Sequence, residues 1–103
     1  MAIKTVVWTD TAACQRRKIL KYWTKRNKSS AYSIKLIYEI SEKIQFILKN
    51  PEASATTNLI DIRTSTLGNY NIFYKTTKKD LIVVAFWDNR QNPKKLLQII
   101  KKS

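Results

Sequence analysis

The sequence predicts an α+β domain in which an N-terminal strand and an αα-hairpin pack on a small antiparallel sheet, followed by a short C-terminal helix. Apolar residues recur with a helical period as far as residue 50 and with extended patterns from residue 59 to residue 87. The composition is 44% hydrophobic with one Gly and two Pro, which is typical of a packed globule. The length of 103 residues favours one domain, residues 1–103, with the element order βααβββα.

The first half of the chain predicts a strand and two helices. Residues 3–8 (IKTVVW) are apolar and β-branched, and Thr9 or Asp10 then supplies an N-cap for a helix over about residues 11–27. Ser29 and Ser30 interrupt that helix. The next helix is predicted by apolar spacings of i, i+3, i+7, i+10 and i+11, and Pro51 ends it. The members of that pattern are Ile37, Ile40, Ile44, Ile47 and Leu48.

The second half predicts three antiparallel strands and a last helix. After a small, polar loop at residues 52–58, extended patterns cover residues 59–65, 70–76 and 81–87. Short connections at Gly68-Asn69 and Lys79-Asp80 require antiparallel neighbours. The strand at 81–87 (LIVVAFW) is continuously apolar, so we expect it at the sheet centre and covered on both faces. Asn92-Pro93 then opens a short amphipathic helix.

Charge is the first indication of function. The chain has 20 basic and 7 acidic residues and a net charge of +13, which favours a polyanionic partner over simple solubility. Seven cations between Gln15 and Lys28 have no acid among them: Arg16, Arg17, Lys18, Lys21, Lys25, Arg26 and Lys28. The alternative for this face is a solvated surface.

Several classes of protein are excluded or disfavoured. No apolar run reaches the roughly 18 residues of a membrane span, and the N-terminus lacks a signal-peptide pattern, so we expect a cytoplasmic protein without a membrane partner. The single cysteine, Cys14, forms no internal disulfide, and without histidine a conventional zinc site cannot be built. We therefore predict no metal and no cofactor.

A series of motifs in fixed order resembles the RelE/ParE toxin superfamily from end to end. The most specific motif is FWDNRQNP at residues 86–93, which begins in the last two residues of the most apolar strand. The others are Trp8-Thr9 with Ala12, Tyr22-Trp23 with Arg26-Asn27, Tyr32-Ser33 with Lys35-Leu36, Asn50-Pro51, Ile62-Arg63 and residues 70–74 (YNIFY). The resemblance implies the toxin of a bacterial type II toxin-antitoxin pair, made with a small antitoxin that neutralises it in a heteromeric complex.

The superfamily resemblance implies two different activities. The RelE-like branch is similar to ribosome-dependent endoribonucleases that cut mRNA, whereas the ParE-like branch inhibits DNA gyrase without cleaving RNA. The RelE pattern places lysines on the second strand, arginines on the third strand and after the fourth, and a tyrosine near the C-terminus. At those positions this chain has Leu59, Asp61, Asn71, Arg90 and Leu96. Only Arg90 matches, which argues against RelE-type cleavage, although related toxins arrange other residues around the same cleft.

We single out three groups of candidate residues. Arg90, Arg63 and Tyr70 are candidate catalytic residues that, with Lys75, could line one face of the sheet, where Asp61 or a tyrosine could accept a proton. Each arginine could instead form a structural ion pair, Arg90 with Asp88 or Asp61. The candidates for nucleic-acid or target binding are Lys75, Arg16, Arg17 and Lys21, and those for antitoxin contact are Leu96, Leu97 and Ile100, with the core as the alternative for the last group.

Three hypotheses for function follow from the sequence. The first is a growth-inhibiting toxin that blocks translation through cleavage of ribosome-bound mRNA, motivated by the charge and Arg90. The second is a gyrase inhibitor without nuclease activity, motivated by the missing basic residues. The third is an inactive family member retained as a binding module.

Overall fold

The computed structural model describes residues 4–57, 61–91, 94–96 and 98, which form two helices packed against one face of a five-stranded sheet. The elements, in chain order, are β1 (Thr5–Trp8), α1 (Asp10–Asn27), α2 (Ala31–Lys49), β2 (Ala55–Thr56), β3 (Arg63–Leu67), β4 (Tyr70–Thr76) and β5 (Asp80–Asp88). Residues 94–96 are helical. The predicted α+β class and the order of its main elements are therefore confirmed.

The helices begin and end where the sequence signals them. Thr9 caps α1, since its hydroxyl oxygen accepts a hydrogen bond from the Ala12 N–H at 3.1 Å. Lys28 takes a left-handed conformation with φ of 52° and closes α1, and the chain turns back through Ser29 and Ser30 into α2. Asn50, immediately before Pro51, ends α2. The αα-hairpin predicted from periodicity is confirmed. Neither of the two helices combines the length and the apolar composition that crossing a membrane requires.

The sheet has the order β1-β5-β4-β3-β2 and is mixed rather than purely antiparallel. The β2–β3, β3–β4 and β4–β5 pairs are antiparallel, as their short connections require. β1 pairs in parallel with β5, with Thr5 opposite Asp80 and Trp8 opposite Val83. The αα-hairpin and three further strands separate β1 from β5, so the first strand can join the sheet in the same direction as the last.

The largest differences from the predicted strands lie between α2 and β4. The predicted strand over residues 59–65 is observed as Arg63–Leu67, and residues 58–60 lie outside the described residues. Within the predicted loop, Ala55 and Thr56 form β2 opposite Thr64 and Arg63. The small polar residues of this segment pair through their backbone, which leaves no period-two hydrophobic signal to read in the sequence.

The main core lies between the helices and the sheet. α2 contributes Leu36, Ile40, Ile44 and Ile47, which meet Tyr70, Ile72 and Tyr74 of β4 and Leu81, Val83 and Phe86 of β5. On the other face, Ala85 and Trp87 are buried with Leu96 and the half-buried Phe73. β5 is an interior strand, and Val83–Trp87 are all buried, so the prediction that this strand is covered on both faces is confirmed.

The beginning of α1 continues the hydrogen bonding of β5 where β1 ends. The Thr9 N–H donates to the Val83 carbonyl at 3.1 Å. Six residues further on, the Gln15 side-chain oxygen accepts from the Phe86 N–H at 2.8 Å. A polar side chain on α1 therefore replaces the strand that is missing from this edge of β5.

Candidate functional site

The three candidate catalytic residues lie at opposite ends of the sheet. Tyr70 and Arg90 line a cleft of about 310 Å³ between α1 and the end of β5. Arg63 and Lys75 line a polar pocket of about 600 Å³ at the other end of β4. The single catalytic face predicted for Arg63, Lys75, Tyr70 and Arg90 is therefore not formed, because these side chains open into two separate cavities.

Arg63 binds the loop that follows α2. Its Nη1 donates to the carbonyl oxygens of Ser54 at 2.8 Å and of Glu52 at 3.3 Å. The guanidinium therefore holds the loop between α2 and β2, and its partners are backbone carbonyls rather than the carboxylate that the structural alternative assumed. In the same pocket the Tyr74 hydroxyl donates to the Pro51 carbonyl oxygen at 2.9 Å. Lys75, beside it, is exposed.

Tyr70 is held by a hydrogen bond from α1. Its side chain is buried, and its hydroxyl oxygen accepts from the Trp23 Nε1–H at 2.6 Å. Burial raises the pKa of Tyr70 above its ordinary value of 10.0, against the opposing effect of the Trp23 hydrogen bond. The phenol is therefore protonated at neutral pH, which makes it a poor acceptor for a proton.

Arg90 forms an ion pair with Asp88. The Arg90 Nη2 lies 2.7 Å from Asp88 Oδ2 and its Nε lies 3.0 Å from Oδ1, and the Arg90 backbone N–H also donates to Oδ1 at 2.9 Å. These hydrogen bonds hold the pKa of Asp88 below its ordinary value. The alternative of an Arg90–Asp88 ion pair is confirmed. The Arg90 side chain is still 56% exposed, so one side of the guanidinium faces solvent.

Tyr22 and Trp23 of α1 form one wall of the Tyr70–Arg90 cleft. Their rings meet edge to face with centroids 5.1 Å apart, and the ring of Tyr32, which does not line the cleft, lies 4.9 Å from that of Trp23. Arg26 donates from Nη1 to the Tyr22 hydroxyl at 2.8 Å and lies over the Trp23 ring. None of the predicted site residues belongs to this wall. Its signal is a Tyr-Trp pair followed by an arginine one helical turn after the tyrosine.

The outer face of α1 carries a row of exposed cations, which we call the cationic stripe. It consists of Arg17, Lys18, Lys21 and Lys25, all exposed. The two ion pairs found in the described part of the chain, Lys35–Glu39 and Arg90–Asp88, involve none of them. Arg16 is different, since its guanidinium lies 4.2 Å from the centre of the Trp8 ring and contributes to packing.

An apolar groove runs between α1 and α2, and we call it the hairpin groove. Two connected cavities of about 730 and 460 Å³ share Arg16, Leu20 and Ile37 as lining residues and continue to Val6 and Trp8 of β1. Ile34 is 61% exposed and Ile37 is 50% exposed along one wall. The other wall carries the stripe residues Arg17, Lys21 and Lys25. The groove thus combines an apolar floor with a basic edge.

The candidate antitoxin contacts at the C-terminus are only partly described. Leu96 is buried against Ala85 and Trp87, which favours the core alternative for this residue. Leu97 and Ile100 lie outside the described residues.

The described residues thus form a helical hairpin on a mixed sheet, with exposed cations along the outer face of α1. Residues 6–93 match the family model described as the ParE toxin of the type II toxin-antitoxin system parDE, and the chain belongs to that family. A search of curated protein sequences gives no match.

A solved structure supports the fold assignment. The chain is similar to a structure described as the chromosomal ParDE toxin-antitoxin system from P. aeruginosa, with a TM-score of 0.69 and 17% identity. The match covers 82% of this chain and 94% of the other. The expected resemblance to the RelE/ParE superfamily is confirmed, and the family that matches is ParE.

Proposed function

We propose that this chain is a growth-inhibiting toxin that acts on DNA gyrase without cleaving RNA and is neutralised by a cognate antitoxin. The observation that carries the proposal is the ParE family match over residues 6–93. Gyrase inhibition is the activity that the resemblance implies for the ParE-like branch. We therefore prefer the second sequence-based hypothesis, gyrase inhibition, to the first, cleavage of ribosome-bound mRNA. It also places the site of action in the cytoplasm.

The arrangement of the candidate catalytic residues supports the same choice. Cleavage by a ribose 2′-hydroxyl needs a proton acceptor and cations held together around one phosphate. In this chain Arg63 binds backbone carbonyls at one end of the sheet, while Arg90 pairs with Asp88 at the other. Beside Arg90, Tyr70 has a raised pKa and keeps its proton at neutral pH. These residues do not provide the required constellation.

The test compares two readouts of the same toxin. Purified toxin is added to a gyrase supercoiling assay and, in parallel, to a translating extract in which mRNA 5′ ends are mapped. We expect supercoiling to stop while the mRNA stays intact. New 5′ ends that depend on the toxin and vanish with Arg90→Ala would instead restore mRNA cleavage, and unchanged supercoiling at concentrations that halt growth would reject gyrase as the target.

We also propose that the antitoxin occupies the hairpin groove with an acidic amphipathic helix. The apolar floor offers burial to the helix's apolar face, and the basic edge offers partners for its carboxylates. Exposed aliphatic side chains such as Ile34 and Ile37 favour aggregation of the free toxin, and a bound antitoxin helix would bury them. The neighbouring reading frame is the natural source of this antitoxin.

Groove residues can be tested against an exposed apolar residue elsewhere on α2. Ile37→Ser should weaken binding of the antitoxin in calorimetric titration by at least tenfold, because Ile37 lines both cavities of the groove. Phe46→Ser is the matched control, since Phe46 is 48% exposed and does not line either cavity. Equal losses in the two variants would place the antitoxin elsewhere.

A further inference from the structure

The cationic stripe groups four positive charges in one sector of α1. Its members fall in one sector about 100° wide on the helix, because α-helical residues advance by about 100° each. From Arg17 to Lys25 the stripe extends about 12 Å along the axis at about 1.5 Å per residue. All four side chains are exposed. Arg17, Lys21 and Lys25 border the hairpin groove, whereas Lys18 borders the Tyr70–Arg90 cleft, so the stripe lies between these two cavities.

Within the described residues the stripe has no acidic partner. The only acid in α1 is Asp10, which lies two turns before Arg17. The ion pairs described elsewhere belong to α2 and to the end of β5. Four cations at this spacing repel one another, and a bound polyanion relieves that repulsion.

Between its cations the stripe offers little apolar surface. The same sector of α1 contains only Asp10 and the half-buried Cys14 besides the four cations. Protein partners draw most of their affinity from desolvated aromatic and aliphatic anchors, which here lie in the adjacent hairpin groove. A phosphate backbone needs only cations at a suitable spacing.

We propose that the cationic stripe binds the phosphate backbone of duplex DNA without sequence preference. One DNA strand presents a phosphate about every 3.4 Å along the axis but also winds around that axis, so its phosphates lie on a curve rather than on a straight line. The four long, flexible stripe side chains can therefore contact at most about four phosphates. This inference rests on the proposed function, because gyrase acts on DNA. A toxin bound to DNA is at a higher local concentration near the enzyme.

The stripe and the hairpin groove share Arg17, Lys21 and Lys25. An antitoxin helix seated in the groove pairs its carboxylates with the same cations that hold DNA. Binding of antitoxin and binding of DNA therefore exclude each other. The antitoxin removes the toxin from DNA in the same step that neutralises it.

The experiment measures binding of the purified toxin to a labelled duplex of about 20 base pairs by fluorescence anisotropy, in the absence of gyrase. Release of counterions from four phosphates gives a slope of roughly −3.6 for log affinity against log salt. Affinity should therefore fall about a hundredfold between 50 and 200 mM salt. A duplex of unrelated sequence should bind equally.

Two variants of equal net charge separate the stripe from the overall charge. The stripe variant carries Arg17→Gln, Lys18→Gln, Lys21→Gln and Lys25→Gln. The control carries Lys49→Gln, Lys78→Gln, Lys79→Gln and Lys95→Gln, all exposed and outside the stripe. We expect at least a tenfold loss of affinity and a clearly shallower slope for the stripe variant alone. Circular dichroism checks that both variants remain folded.

Three results would overturn the inference: absence of duplex binding by the wild type at low salt, equal losses in both variants, or tighter binding of an RNA duplex of the same sequence. Addition of antitoxin should release the duplex. The supercoiling assay keeps the two proposals apart. A toxin that binds DNA through the stripe but leaves gyrase active rejects only the proposed target, and one that inhibits gyrase without binding DNA rejects only the stripe.

Discussion

The two helices of the hairpin are attached to the same sheet by different chemistry. α2 buries four aliphatic side chains, Leu36, Ile40, Ile44 and Ile47, against β4 and β5. α1 has one buried residue, Ala12, packs its half-buried Ile19 and Leu20 against the same core, and adds hydrogen bonds from polar side chains. Gln15 accepts from Phe86, Trp23 donates to Tyr70, and Thr24 shares a hydrogen bond of 2.6 Å with Ser33 of α2.

The difference shows that the two helices contribute unequally to the buried core. Aliphatic packing on α2 is non-directional and proportional to buried area, so it stabilises the fold wherever the side chains fit. The polar contacts of α1 need few residues, which leaves the rest of its surface free. That free surface carries the cationic stripe and one wall of the hairpin groove.

The largest expected effect is the loss of an aliphatic contact of α2. Ile47 is 0% exposed, and Ile47→Ala should lower the free energy of unfolding by about 2–5 kcal/mol, because it removes buried methyl groups and leaves a cavity. Urea denaturation of the purified chain measures the change. Ile34→Ala, at a position 61% exposed, is the control and should change stability by less than about 0.5 kcal/mol. Equal effects would mean that α2 does not stabilise the fold through its buried face.

A polar contact of α1 should have the next largest effect. Gln15→Ala leaves the Phe86 N–H without its acceptor and should cost about 1–3 kcal/mol of stability. The Phe86 amide should also exchange its hydrogen faster than in the wild type. Gln15→Glu keeps an acceptor oxygen at this position and should lose less. If Gln15→Ala and Gln15→Glu were equally unstable, the hydrogen bond to β5 would not be the cause.

The Trp23–Tyr70 hydrogen bond should give a smaller effect that depends on pH. Tyr70→Phe leaves the Trp23 N–H without its acceptor and should cost about 1 kcal/mol at neutral pH. The pKa of Tyr70 is raised in the folded state, so its contribution to stability is complete below pH 10.0 and is lost as pH rises through the folded-state value. The difference between wild type and variant should therefore shrink above pH 10. Thermal unfolding at several alkaline pH values tests this, and a constant difference would contradict the raised pKa.

Removal of one lysine charge should have the smallest effect on stability, and the sign of that effect should differ between α1 and α2. Lys21→Gln removes the repulsion of Lys21 by Arg17 and by Lys25, each an i,i+4 neighbour, and should stabilise the fold by a few tenths of a kcal/mol at low salt. Lys49→Gln removes a cation from the last turn of α2, where the helix dipole favours it, and should destabilise by a similar amount. Melting temperatures at low and high salt measure both effects, which salt should suppress. Two changes of the same sign would contradict the contrast between the helices.

The predictable part of the fold is the part built on periodic burial. The spacing of Ile40, Ile44 and Ile47 identified α2, and the unbroken apolar run of β5 identified an interior strand, because burial itself selects these residues. β2 escaped prediction because Ala55 and Thr56 pair through backbone atoms alone. The parallel pairing of β1 also escaped, since a strand pattern does not specify its direction.

The candidate site was less predictable because its residues act through specific partners. Sequence identified Arg63, Tyr70 and Arg90 as individually suited to chemistry, but only the strand register shows that Arg63 and Arg90 lie at opposite ends of the sheet. Gln15 has no sequence signal, since its partner, Phe86, is 71 residues away. The cationic stripe was visible as a run of charge, and the structure adds its regular exposure on one side of α1.

The parallel pairing of β1 with β5 sets the order in which this toxin can become complete during synthesis. β1 pairs with β5, and directly after it the Thr9 hydroxyl donates a hydrogen bond to the carbonyl oxygen of Val84, 75 residues later in the chain. The first strand therefore has no partner until nearly the whole chain has been synthesised. Because synthesis adds roughly 5–20 residues per second, the apolar faces of the hairpin and β1 stay exposed for several seconds before β5 is made. The five-stranded sheet can therefore close only near the end of synthesis, because its first strand pairs with its last.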